Sequence, residues 1–403
     1  MSAWEKLYSK RISTLRPSPI REMLHVIRQP GMISFAGGNP DPQSFPVDLF
    51  YECASILKEQ GKDVLQYGTT EGYAPLKEFL CSWLAPRMGR SLSQDELLIT
   101  TGSTQVVDLL CWALIDKGDL VITEEPTFVG TTLTMHNHGA HFLTVPCDAE
   151  GMLVDQLPNK IEEALSQGKH VKFIYTIPNF HNPLGCTMSL ERRKKLIEIA
   201  KKYGIAILED DPYAYIRFEG EDLPTLFSLD DSGLVIHACT FSKILAPGTR
   251  VAWAVGNKDI IRKMAIFKQG TDLCTSVVAQ ALVYEYCKRG YIDEYLPHIV
   301  DHYRKKRDNM EECLRKHLPL EEVSWVTPGG GFFYWLQMKT IKTADLYPKA
   351  LEKKVAFVPG ESFYPNQNGG EHELRMCFTF ASPKDMDEGI KRLGEAMREL
   401  LKK

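Results

Sequence analysis

Lys243 lies in the stretch CTFSKILAPGTRVAWAVG, Cys239–Gly256, between hydroxyl neighbours and a long apolar flank, and Arg250 follows across a Pro-Gly turn. A lysine beside an apolar run is usually a surface residue with a buried stem. In the right company it is a candidate Schiff-base former. Arg250 is suited to a bidentate clamp on phosphate, with Thr240 and Ser242 supplying hydroxyl donors. Ser103 and Thr104 open a helical pattern, where free backbone N–H groups and the helix dipole favour phosphate. Neither GxxxxGK[ST] nor a strand-linked GxGxxG is present, so the phosphate is not evidently a nucleotide's.

Four further residues extend the set. Asp210 ends the apolar run IAILEDD and is suited to holding a ring nitrogen protonated. Asn182, in NFHNPLG, and Tyr213, in DDPYAY, are neutral donors for a phenolate oxygen. Phe128, in EEPTFVG, offers an aromatic face for stacking. Phosphate, pyridinium, phenolate and aldehyde together describe pyridoxal 5′-phosphate (PLP), which demands a Schiff-base lysine and an acidic partner for its ring nitrogen. The competing reading of Asp210-Asp211 as a metal site lacks a third ligand in matching spacing. His136, His138 and His141 (HNHGAH) lack HExxH spacing and read as a polar connection, so no metal is expected. Gly329–Gly331 leads into FFYWLQM without a lysine, which suits a strand entry needing close backbone approach rather than a phosphate loop.

Elements must bring these residues together. ELLIT, DLVIT, VKFIYTI, IAILEDD, VIHACTF and RVAWAVG read as strands. Between them lie helical patterns. One has Val106, Leu109, Leu110 and Ala113 on a single face. Another, ERRKKLIEIAKKYG, buries Leu196, Ile199, Ala200 and Tyr203 and stops at Gly204. Strands separated by helices imply a mostly parallel sheet covered on both faces. In such a sheet ligands gather at the carboxyl ends of the strands, and the candidate residues all follow strands. After this region come a long helix, near Asp293 to Leu318, short strands, and a last helix announced by Ser382-Pro383. The expected division is an N-terminal segment 1–45, a large domain 46–285 and a smaller α+β domain 286–403.

Composition narrows the classes. Over 403 residues, 44% are hydrophobic, 25% are charged and the net charge is −4, which argues against a nucleic-acid partner. No apolar run reaches the roughly 18 residues of a membrane span. The N-terminus is too polar for a secretory signal. The ten cysteines are scattered without CxxC spacing and read as buried free thiols of a cytoplasmic protein.

The motifs run in order through nearly the whole chain: SPIREML, ISFAGGNPDPQSFP, LQYGTTEGYAPLKEFL, ITTGSTQ, EEPTFVGT, PNFHNPLGCTMS, EDDPYAYIRF, TFSKILAPGTRVAW, PGGGFFYW, VPGESFY and LRMCFTF. Together they resemble the fold-type I PLP-dependent aminotransferases of class I/II. The likeness is greatest to the 2-aminoadipate, kynurenine and broad-specificity aromatic and branched-chain subgroup. The resemblance implies an α/β large domain with a mostly parallel seven-stranded sheet sandwiched by helices, plus a smaller α+β domain. It implies amino-group transfer between an L-amino acid and a 2-oxo acid, with glutamate/2-oxoglutarate as one pair. A C–S lyase or decarboxylase on the same fold is the alternative, and an effector domain of a DNA-binding regulator a third class.

By position, the resemblance makes Lys243 the Schiff-base lysine and Asp210 the ring-nitrogen partner. Tyr213 and Asn182 bond the phenolate oxygen, Phe128 stacks on one ring face and Pro212 packs near the other. Ser103, Thr104, Thr240, Ser242 and Arg250 hold the phosphate. Tyr67 would reach the partner subunit's site, implying a homodimer with shared sites. Arg375 would clamp the substrate α-carboxylate, with Asn182 beside it and Gly38 donating through its backbone. Arg21 would face the substrate side chain. Leu184, in NPLG, departs from the small hydroxyl residue common in relatives.

Overall fold

The computed structural model describes residues 3–10, 12, 15, 17 and 29–402. In chain order the strands are β1 (Ile33–Ser34), β2 (Leu97–Thr100), β3 (Leu120–Glu125), β4 (His141–Asp148), β5 (Gly151–Met152), β6 (Val171–Thr176) and β7 (Ala206–Asp210). There follow β8 (Val235–Thr240), β9 (Ala252–Val255), β10 (Val323–Trp325), β11 (Phe333–Met338), β12 (Val355–Ala356), β13 (Val358–Pro359) and β14 (Glu373–Cys377).

Strands β2 to β9 form one sheet in the order β2-β9-β8-β7-β6-β3-β4-β5. The run from β8 to β4 is parallel, while β9 opposes both β8 and β2. β9 turns back because only residues 241–251 join it to β8. A parallel neighbour needs a crossover of roughly a dozen residues or more. Since β2 and β8 both oppose β9, they point the same way. The sheet has one strand more than the seven expected. The addition is the two-residue β5, which folds back on β4 through Cys147↔Met152 and Asp148↔Gly151.

Consecutive apolar residues in these strands bury both faces, as a covered parallel sheet requires. Ile99, Ile122, Ile174 and Ile207 pack under the helices Ala74–Met88, Leu190–Tyr203 and Val277–Lys288. Leu98, Val121, Phe173 and Leu208 pack under Ser103–Leu114 and Lys258–Thr271. The helix Leu190–Tyr203 starts on Ser189, whose Oγ accepts from Arg192 N, and ends on Gly204 at φ 65°, the expected stop. Tyr203 is only half-buried, and Ile197 and Arg193 take its place in the core.

A second, antiparallel sheet has the order β10-β11-β14-β13. Its register sets Arg375 opposite Trp335 on one side and Val358 on the other. The helices Tyr291–His317 and Pro383–Leu401 belong to this part, the latter capped by Ser382 as its Ser-Pro pair foretells. β1 pairs with β12, so residues 33–34, inside the expected N-terminal segment, pair with the C-terminal part of the chain. Gly330 is a close-approach glycine: a Cβ there would lie 2.4 Å from Ile216 O and from the Phe180 ring. Among the described residues no helix is long and apolar enough to cross a membrane.

Candidate active site

β2, β3, β6, β7 and β8 all end on one edge of the large sheet. The segments carrying Ser103-Thr104, Phe128, Asn182, Asp210–Tyr213 and Thr240–Arg250 each follow one of these ends, so the expected convergence is present.

Lys243 follows the end of β8. Its Nζ donates to Gly38 O at 3.1 Å and stands 5.7 Å from the Tyr213 ring centroid and 5.4 Å from that of Phe332. Burial, with help from the Arg375 and Arg250 guanidiniums, lowers its pKa to about 8. The lysine therefore gives up its proton more readily than an ordinary lysine, and burial does more of this than any neighbouring cation. This contact uses the Gly38 carbonyl.

Asp210, the last residue of β7, is buried. Oδ2 accepts from Tyr175 Oη at 2.8 Å, and Oδ1 has no hydrogen-bond partner among the described residues. Burial raises this carboxyl to about 6 despite the Tyr175 hydrogen bond. Asp211 points the other way. It accepts from Arg87 at 3.1 Å and Asn179 at 2.7 Å, with His237 Nε2 at 3.4 Å. Burial opposes its charge, but Arg87 and His237 hold it well below the usual carboxylate range. Adjacent carboxylates are thus told apart by the alternation of the strand: one is braced in the core, the other faces the rim. Asn179 also accepts from Arg193 at 2.7 Å, so the brace reaches the loop carrying Asn182.

Arg375 on β14 is 1% exposed. It donates to Asn182 Oδ1 at 2.8 Å and Ala36 O at 2.7 Å, between the rings of Phe333 at 4.3 Å and Phe363 at 4.9 Å. Its Nε has no hydrogen-bond partner among the described residues, and burial lowers its pKa to about 10. A buried guanidinium held by neutral acceptors suits an anion brought in from outside. Tyr213 is buried beside it, with Asn182 facing its hydroxyl, and its pKa rises because of burial. Leu184 packs with Ala36, Trp335, Val358 and Phe363, so the departure from a small hydroxyl residue fills an apolar wall behind Arg375.

The remaining candidates form a polar rim. Thr240 Oγ1 donates to Ser242 Oγ at 2.8 Å, and Arg250 Nη1 lies 3.4 Å from that Ser242 oxygen. Gly102 caps the helix Ser103–Leu114 at φ 81°, and a Cβ on it would lie 1.8 Å from Arg250 Nη2. The glycine is what lets the guanidinium reach the helix start that carries Ser103 and Thr104. Phe128 is half-buried at the start of Val129–Asn137, its ring folded over Gly130, where a Cβ would lie 2.6 Å away. Pro212 is partly buried between Asp211 and Tyr213. One candidate stands apart. Tyr67 is 80% exposed, and its hydroxyl makes no hydrogen bond among the described residues. Arg21 lies outside the described residues. His138 pairs with Asp108 at 2.7 Å, away from this set. Sequence reading passed over Tyr175, Phe332 and Phe363, because nothing in a local pattern tells a functional aromatic from a core one.

Residues 32–393 match the family Aminotransferase class I and II. The chain belongs to that family. The aminotransferase is 39% identical to the aromatic-amino-acid aminotransferase 1 of Thermococcus litoralis, over 99% of this chain and 96% of the relative. It is equally 39% identical to the 2-aminoadipate transaminase of Thermus thermophilus, over 99% and 98%. Its fold superposes with a TM-score of 0.95 on the kynurenine aminotransferase of Pyrococcus horikoshii, solved with pyridoxamine phosphate (PMP), at 40% identity covering 100% and 99% of the two chains. It is a PLP-dependent transaminase of fold type I.

The residues present fit that cofactor. The buried Oδ1 of Asp210 would suit a cationic N–H, the Gly102–Arg250 cradle a phosphate, and Lys243 an aldehyde. The cradle is directly testable. Gly102→Ala must displace the Arg250 guanidinium, so the apoenzyme should bind PLP about tenfold or more weakly, corresponding to the loss of one charge-assisted contact. Fluorescence titration of the apoprotein reads this; an unchanged Kd means that Arg250 does not hold the phosphate.

Proposed function

We propose that this aminotransferase exchanges the amino group of an L-amino acid with the oxo group of a 2-oxo acid in two half-reactions, with glutamate/2-oxoglutarate as one pair. Lys243 carries the proton in both directions. The observation that supports this most is the placement of Lys243, lowered to about 8, among Asp210, Arg250 and Arg375. Bound PLP supplies an electron sink for the charge left at the substrate Cα. Asp210 keeps that sink effective by holding the ring nitrogen protonated. Tyr213 and Asn182 orient the phenolate oxygen, and Phe128 and Pro212 flank the ring. Arg250, Thr240, Ser242, Ser103 and Thr104 hold the phosphate. Arg375 clamps the substrate carboxylate, which sets the Cα–H beside Lys243 Nζ. The amine then acts as general base and, once charged, as general acid. Enclosure by Phe332, Phe333 and Phe363 keeps water from competing for the proton. The exposed Tyr67 is available to a second copy, and we place it at the partner subunit's site in a homodimer.

The test is product balance. A panel of amino acids with 2-oxoglutarate should give glutamate in one-to-one yield with the new 2-oxo acid. Release of ammonia or CO₂ in place of glutamate would assign a lyase or decarboxylase instead.

A further inference from the structure

Asp210 meets one hydrogen-bonding side chain among the described residues, and that side chain belongs to another strand. Tyr175 lies on β6, fully buried, opposite Leu208 of β7, and shares its sheet face with Asp210 two residues on. Its Oη donates to Asp210 Oδ2 at 2.8 Å and lies 3.1 Å from Thr131 Oγ1. A phenol has one proton. The carboxylate takes it, so the hydroxyl of Thr131 supplies the proton of the second contact. Thr131 sits on the helix that begins just after Phe128, so the line Thr131–Tyr175–Asp210 runs from the element bearing the stacking ring to the carboxylate. Burial and the neighbouring carboxylate push the Tyr175 pKa well up, so it stays a donor.

We propose that Tyr175, braced by Thr131, is the positioning residue that aims Asp210: it occupies Oδ2 and so presents Oδ1 to the cofactor's ring nitrogen. This rests on the reading of Asp210 as the ring-nitrogen partner. The bare Oδ1 is the half of the carboxylate that Tyr175 leaves open. The other ionisable groups near Asp210 are Asp211 beside it, Glu124 on β3, His237 on β8, and Lys243 and Tyr213 across the site. None of them hydrogen-bonds Asp210 among the described residues, so they act on it through charge alone. Without Tyr175 the buried carboxyl loses its one donor, binds a proton more tightly, and the ring loses its ionised partner.

The experiment follows the visible absorbance of the bound cofactor against pH in the holoenzyme, for Tyr175→Phe, Thr131→Val, Asp210→Asn and the Tyr175→Phe/Asp210→Asn pair. Discharging the ring removes a nearby positive charge, so the midpoint of the absorbance change moves up. Tyr175→Phe, which keeps the ring volume, should raise it by about one pH unit and lower kcat about tenfold. Thr131→Val should raise it less, Asp210→Asn most, and the pair no further than Asp210→Asn alone. If Asp210→Asn moves the midpoint while Tyr175→Phe and Thr131→Val leave it at the wild-type value, the positioning role is wrong and the Asp210 reading stands. If Asp210→Asn itself leaves it unmoved, both fall.

Discussion

Lys243→Ala should reduce kcat by at least about 10³-fold, the scale of losing a general base together with covalent anchoring. The expectation follows from where the amine sits. Its one hydrogen-bond partner among the described residues is the Gly38 carbonyl, and no carboxylate pairs with it. Burial and two guanidiniums disfavour its charge, so the neutral amine is easier to reach where a Cα proton must be taken. The variant should also lose the visible absorbance of the wild-type protein. Normal turnover in Lys243→Ala would sink the assignment. Removing a buried charge should leave the fold intact, which a melting curve checks. The same pKa gives a pH expectation. Below about 8 the lysine is mostly charged and cannot react with the cofactor's aldehyde. Cofactor uptake by the apoprotein should therefore quicken about tenfold per pH unit up to that point and level off above it.

Arg375→Ala should lower kcat/KM for amino acids about 100-fold, equivalent to about 2.7 kcal/mol, chiefly through KM. The guanidinium is fixed at two points by neutral acceptors, Asn182 Oδ1 and Ala36 O, and gripped between Phe333 and Phe363. It therefore enters the encounter already oriented, and little freedom remains to be lost when a carboxylate arrives. Its own charge is costly in that setting, as its lowered pKa shows, so a bound anion relieves the site as well as being held by it. Arg375→Lys keeps charge but loses the fork, and should recover only a minor part of the loss. Steady-state kinetics with two amino donors decide; an unchanged KM in both variants refutes the clamp.

Where the sequence was read well, the signal was local. The alternation of apolar runs and 3.6-residue patterns located the large sheet's principal strands except β4. The stop at Gly204 and the start at Ser382-Pro383 are chemical and were legible as such. Lys243, Asp210, Asn182 and Arg250 stood out because polar residues that end apolar strands are rare enough to notice. The extra strand β5 was not legible, since two residues have no pattern.

By itself, the sequence determined which chemical groups this protein owns and which strand ends carry them. A lysine, a strand-end aspartate, hydroxyls suited to a phosphate and two arginines in ordered motifs were enough to name the cofactor. Only the tertiary structure decided how tightly each group holds its proton. Asp210 and Asp211 are neighbours of identical type, yet one is driven up to about 6 and the other far down. Lys243 and Arg375 lose charge affinity because of what surrounds them. The physical reason is that burial and partner dipoles depend on side chains brought in from distant elements. Tyr175 comes to Asp210 from another strand, and Asn182 and Ala36 come to Arg375 from far along the chain. A residue's type is written locally; its proton affinity is a property of the packed site.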